Sequence, residues 1–100
     1  YEDDLCVVIR DLYPQAPTHV LIIPRQPIAM LSTASGDDQA LLGHLLLVAG
    51  KIAEQLGVED AFRLVINNGE GGGQTVFHLH LHLLAGRDMK EGELAQGLAR

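Results

Sequence analysis

One hundred residues, 47% apolar and 20% charged with 11 Gly and 4 Pro, have the proportions of one soluble globular domain, not of a disordered tail or a low-complexity linker. Seven Lys and Arg against thirteen Asp and Glu leave a net charge of −6, and the bases are scattered singly, so there is no basic footprint for nucleic acid or an anionic membrane. The longest apolar stretch, Leu41 to Gly50, falls far short of the ~20 residues a bilayer needs, and the single Cys6 cannot form an internal disulfide, which points to a reducing cytoplasm.

Leu5 to Ile9 is a short, partly β-branched run and predicts a strand over about residues 5–10. Two prolines break the stretch from Asp11 to Pro17, and Thr18 to Ile23 is a second strand, stopped by Pro24 and Pro27. Residues 28–36 are small and polar, with room for one helical turn. Ser35-Gly-Asp-Asp38 supplies a capping residue and an acidic first turn for a helix running to about Leu56, with Gly57 as its terminator. Leu41, Leu42, Leu45, Leu46, Ala49, Ile52, Ala53 and Leu56 recur at spacings of three and four along it. Leu47 and Val48 widen that stripe beyond one face, and in a domain this small the expected cover is a second copy, making a homodimer. Ala61 to Asn67 predicts a third strand, Asn68 to Thr75 a glycine-rich loop, and Val76 to Leu84 a fourth strand. Ala85 to Arg100 is polar and reads as a frayed helix or mobile tail. The fold class is α+β: an antiparallel meander sheet packed on one long helix.

The chemistry is concentrated in the fourth strand. With a period of two, Phe77, Leu79, Leu81 and Leu83 form an apolar face for the core, and His78, His80 and His82 line the opposite face. Neighbouring histidines are then about 6.5–7 Å apart. Three of the chain's five histidines share that stripe, although histidine is not a favoured strand residue and adds no apolar burial. Two uses are open. Histidines at alternate positions can chelate a transition metal, but the outer pair is about 13 Å apart, and no acidic residue lies between Glu70 and Asp88. The other use is nucleophilic and acid–base chemistry, one imidazole attacking while its neighbours orient it and handle protons. The preceding Gly69, Gly71, Gly72 and Gly73 allow backbone N–H groups to approach an anion, as in a phosphate cradle. The loop is not a Walker A motif, since it lacks Gly-Lys-Ser/Thr and leads into a strand.

His78-Leu-His-Leu-His-Leu-Leu84 resembles the His-x-His-x-His-x-x motif of the histidine triad (HIT) superfamily. Asp11-Leu-Tyr-Pro-Gln-Ala-Pro-Thr-His19, Leu42-Gly-His44, Asn67 to Thr75 and Ala85-Gly-Arg87 are similar to its Hint branch of nucleotide-binding proteins, over about residues 1–90. The resemblance implies one HIT domain, its last residues 88–100 a tail, in a homodimer that binds purine nucleotides such as AMP and GMP. It would hydrolyse adenosine phosphoramidates and aminoacyl-adenylates without a cofactor or catalytic metal. By the same resemblance His80 is the nucleophile, forming a nucleotidyl-histidine, and His78 and His82 flank it. His19 adjoins the triad, Asp11 accepts from the ribose hydroxyls, and Ile9, Arg10 and Leu12 belong to the nucleobase pocket. Asn67, Gln74 and Thr75 contact the phosphate or leaving-group side, and backbone N–H groups near Gly73 stabilise phosphoryl charge. Alternatives are dinucleoside polyphosphate hydrolysis or nucleotidyl transfer within the superfamily, or a nucleotide-binding interaction module without catalysis. Ala-Gly-Arg after the triad favours the Hint branch over the polyphosphate hydrolases.

Family members usually begin about two strands earlier, often with a Cys-x-x-Cys pair that in some bacterial relatives holds structural zinc with residues matching His19 and His78. This sequence opens on Tyr1 and carries no such pair, so upstream residues are expected to have been removed or left out and no such site is expected. His44 reads as a polar insertion at the helix or dimer surface, Arg87 as an ion-pair partner, and Cys6 as buried and inert, since no base stands beside it in sequence.

Overall fold

The computed structural model describes residues 1–90; the remainder of the expected tail, 91–100, lies outside the described residues. Four strands form one antiparallel sheet: β1 (Cys6–Arg10), β2 (Thr18–Pro24), β3 (Phe62–Val65) and β4 (Leu81–Ala85). One long helix, α1 (Gln39–Gln55), connects β2 to β3 and packs on one face. The strand order is β1-β2-β4-β3, which corrects the expected sequential meander. The crossover through α1 carries the chain past the centre, so β3 takes the edge and β4 fills the slot beside β2.

Local signals account for the element ends. Ser35 Oγ accepts the Asp37 N–H at 3.2 Å and Asp38 Oδ2 accepts the Ser35 N–H at 2.9 Å, a capping box on the short 3-10 turn Gly36–Asp38 that leads into α1. At the other end the Gly57 N–H donates to Glu54 O and the Val58 N–H to Ala53 O. This is a Schellman closure that the left-handed Gly57 (φ 72) allows. The helical turn allowed for in 28–36 is a 3-10 turn at Leu31–Thr33.

Leu45, Ala49, Ile52 and Ala53 of α1 meet Cys6, Val20, Ile22, Leu81 and Leu83 of the sheet in the main core. Each large aliphatic side chain buried there contributes about 1.5–3 kcal/mol. Leu46 and Leu47, on the far side of α1, remain 55% and 77% exposed. Cys6 is wholly buried, and that desolvation, reinforced by the adjacent Asp3 carboxylate, pushes its thiol up to about 11. In EDTA at pH 8, alkylation of Cys6 by iodoacetamide is expected to be at least about a hundredfold slower in the folded chain than in urea; equal rates would refute the buried environment.

The expected fourth strand over 76–84 is shorter at its start. Pro24 ends β2 and has no N–H to extend the ladder. The Leu79 N–H instead donates to Ile28 O at 2.6 Å, and the His78 side chain takes the Pro24 carbonyl at 2.7 Å. Residues 76–80 therefore approach the sheet as an irregular segment. Leu79, Leu81 and Leu83 are buried as the alternation predicts, but Phe77 is 51% exposed and is not part of the core face. Beyond β4 the chain is tied down as far as it is described: Met89 packs on Leu84 and Ala16, and Arg63 donates to Lys90 O at 2.7 Å.

Candidate active site

The β2–β4 register sets Leu21 opposite His82 and His19 opposite Leu84. His19 and His82 are thus diagonal neighbours on the sheet face turned away from α1. Their ring centroids are 5.2 Å apart, and His19 Nε2 stands 2.9 Å from His82 Nδ1. His19 Nδ1 accepts the Gln15 backbone N–H at 3.0 Å. It therefore holds no proton, and the neutral ring carries its N–H on Nε2, donating to His82 Nδ1. By the same logic His82 carries its proton on Nε2. Asp11 completes the row: its Oδ2 is 3.4 Å from His19 Nε2, its Oδ1 accepts the Tyr13 N–H at 2.8 Å, and its side chain is almost fully enclosed.

His80 stands just before β4, its ring edge-on to His82 at a centroid distance of 5.2 Å. Its Nδ1 lies 2.7 Å from the His78 carbonyl oxygen. A carbonyl only accepts, so Nδ1 carries the hydrogen and Nε2 of the neutral ring holds a lone pair. His80 keeps 8% of its surface exposed whereas His82 has none, so His80 is the less enclosed of the two. The imidazole of His78 is turned aside to the Pro24 carbonyl. The His80 ring is thus held by the backbone carbonyl of His78, while the His78 ring bonds the end of β2.

The glycine-rich loop is built differently from the expected cradle. The N–H groups of Gly72, Gly73 and Gln74 donate to Gly69 O, Glu70 O and Gly69 O respectively, so they close the loop on itself and do not point at an anion. Gly73 adopts φ 93, a conformation that residues with a side chain rarely take, beside Asn67. Gln74 is buried, and its amide accepts from Gly69 N–H and donates to Ala29 O and Val76 O, a brace between the loop and residues before β4. Thr75 is exposed beside it. Ile9 pairs with Leu21 and so shares the histidine face at the edge of the sheet, while Arg10 and Leu12 are exposed around Asp11. Arg10, Asp11 and His19 line one cleft of about 160 Å³, below the roughly 300 Å³ at which small-molecule sites begin.

Sequence reasoning did not find the Gln15 amide or the Pro24 carbonyl, since a backbone group leaves no residue-type signal. Nor did it connect Asp11 to the histidines. Asp11, His19 and His82 offer ligand atoms within 4.8 Å of one another, but the two nitrogens already share a proton at 2.9 Å. Two nitrogens on one zinc ion stand roughly 3.3 Å apart, so an ion here would have to part a hydrogen-bonded pair of buried rings. Asp11, His19 and His82 form a contiguous row of polar contacts, 3.4 Å and 2.9 Å long.

The model of the HIT domain family matches residues 1–89. The chain is 63% identical over 87 residues to an uncharacterised HIT-like protein of Synechocystis, covering 87% of this chain and 76% of that one. It is 49% identical over 90 residues to the purine nucleoside phosphoramidase of Escherichia coli K12, covering 89% of this chain and 76% of that enzyme. The crystal structure of a HIT family hydrolase from Legionella pneumophila superposes with a TM-score of 0.89 at 46% identity, over 92% of this chain and 83% of that one.

Proposed function

Because the chain belongs to the HIT domain family, we propose that it is a hydrolase of nucleoside 5′-phosphoramidates, working as one domain that cleaves the P–N bond between AMP and an amine through a covalent nucleotidyl-histidine. The observation that carries this reading is the 2.7 Å contact of His80 Nδ1 with the His78 carbonyl, which leaves a lone pair on Nε2. His80 Nε2 attacks the α-phosphorus; a new P–N bond to the ring forms and the P–N bond to the amine breaks. Positive charge developing on the His80 ring is offset by the His78 carbonyl, which keeps its hydrogen bond throughout. The departing nitrogen takes up one proton, and water attacking phosphorus in the second step releases one, freeing His80 and AMP. His82, the ring next to His80, supplies that proton once the His19–His82 pair has taken one up from solvent, and regains it from the attacking water; the Asp11 carboxylate behind His19 compensates the charge on the protonated pair.

Binding follows the same assignment. Asp11, enclosed but lining the cleft beside Arg10 and His19, accepts from the ribose hydroxyls once a nucleotide opens that cleft, a role suited to an acceptor-only carboxylate. Ile9, Arg10 and Leu12 border the purine, and Asn67 and Thr75 the phosphate side, while Gln74 and Gly73 hold the loop in shape. The chain works as a homodimer through the open face of α1, where exposed Leu46 and Leu47 flank Gly43 and Gly50, whose missing side chains leave open space for a close partner. The 49% identity to a phosphoramidase supports the P–N reading over polyphosphate hydrolysis. Incubated in EDTA with an AMP–amine phosphoramidate, the protein is expected to release the amine and to carry a transient nucleotidyl mass adduct. AMP binding without turnover or adduct would reduce the protein to a binding module.

A further inference from the structure

On the other side of the sheet, Asp3, Cys6 and His44 converge from three different elements: the opening turn, β1 and α1. Each offers a ligand atom, and these atoms lie within 4.8 Å of one another. The Asp3 carboxylate is held in place. Its Oδ1 accepts the N–H groups of Leu5 and Cys6, both at 2.8 Å, and its Oδ2 meets Tyr1 OH at 2.9 Å and His44 Nε2 at 2.7 Å. Desolvation works to raise the Asp3 carboxyl, but the hydrogen bonds from Leu5, His44, Cys6 and Tyr1 outweigh it and hold it well below the usual carboxylate range. His44, expected as a polar insertion at the helix or dimer surface, is partly exposed on α1 and turns onto that carboxylate, and Cys6 is buried beside it.

An ion pair and a capped turn need no thiol. A thiol, an imidazole and a carboxylate together are the mixed donor set of borderline-soft divalent ions, and three such ligands with one open position is a recurring zinc arrangement. We propose that Asp3 Oδ2, Cys6 Sγ and His44 Nε2 form a site for a zinc-class divalent cation, with water as the fourth ligand. The oxygen and nitrogen now 2.7 Å apart must separate to roughly 3.3 Å around an ion. Here that is available, because the Asp3 and His44 side chains are 25% and 32% exposed, whereas those of Asp11 and His19 are sealed. Binding transfers the Cys6 proton to solvent, so affinity rises with pH. The ion ties the opening turn and β1 to α1, a structural clamp remote from the histidine face and independent of the hydrolase reading.

Cobalt titration of the metal-stripped full chain tests this. Cys6 is the only cysteine, so a thiolate-to-cobalt charge-transfer band in the near ultraviolet reports this site alone; the Asp11–His19–His82 cluster has no sulfur. The band is expected to saturate at one cobalt per chain, to vanish in Cys6→Ser, and to need at least about tenfold more cobalt in His44→Ala. Zinc is expected to raise the melting temperature of the wild type and not that of His44→Ala. His44 is partly exposed, so that variant stays informative if the core change Cys6→Ser does not fold. No sulfur band at millimolar cobalt, or a band of unchanged affinity in His44→Ala, overturns the proposal.

Discussion

Replacing His80 by alanine is expected to lower single-turnover P–N cleavage of an AMP–amine phosphoramidate by at least about 10³-fold and to remove the nucleotidyl adduct from the intact mass spectrum. The magnitude follows from losing the nucleophile itself, for which no other ring can substitute. His78→Ala is the informative comparison. The His80 ring is oriented by the His78 main-chain carbonyl, which alanine keeps, while the lost imidazole bonds only the end of β2 at Pro24. Its loss is expected to be at least tenfold smaller than that of His80→Ala, on the order of 10²-fold or less. An adduct that persists in His80→Ala, or equal losses in the two variants, would move the nucleophile to another residue.

Leu83→Ala is expected to destabilise the fold by about 2–5 kcal/mol. In a chain of this length that lowers the thermal midpoint by on the order of 10 °C or more. Leu83 has no exposed surface and sits between Val20 of β2 and Leu64 of β3, under α1. Truncation there leaves a cavity that the central strand cannot collapse to fill. Phe77→Ala is expected to cost under about 1 kcal/mol, because that ring is half in solvent although the alternation groups it with Leu83. Thermal melts at one fixed protein concentration decide it; equal losses would mean that residues 76–80 join the sheet after all.

That contrast shows where the sequence was legible. The periodicity of α1 and its flanking signals at Ser35 and Gly57 located the helix to within a few residues, because a helix closes its own hydrogen bonds and its ends are satisfied by neighbours in the chain. The apolar runs located all four strands. The start of β4 was misjudged because a strand extends only as far as its neighbours do, and Pro24 stops β2 early. The strand order was likewise hidden, since antiparallel pairing through a helix crossover leaves each strand's own pattern unchanged.

The sequence by itself determined that three histidines at alternate positions meet an apolar core on one side and a glycine-rich loop upstream, and only its resemblance to the histidine triad singled out His80 among them. Only the tertiary structure decided which group each ring bonds. His19 reaches His82 across 63 residues of sequence, bringing Asp11 with it, and His44 reaches Asp3 across 41. The protons on His19, His78 and His80 are assigned by backbone groups of Gln15, Pro24 and His78. Side-chain patterns encode which face of an element is buried, but a tautomer depends on which backbone donor or acceptor lies within about 3 Å, and that distance exists only after the strands have settled into register.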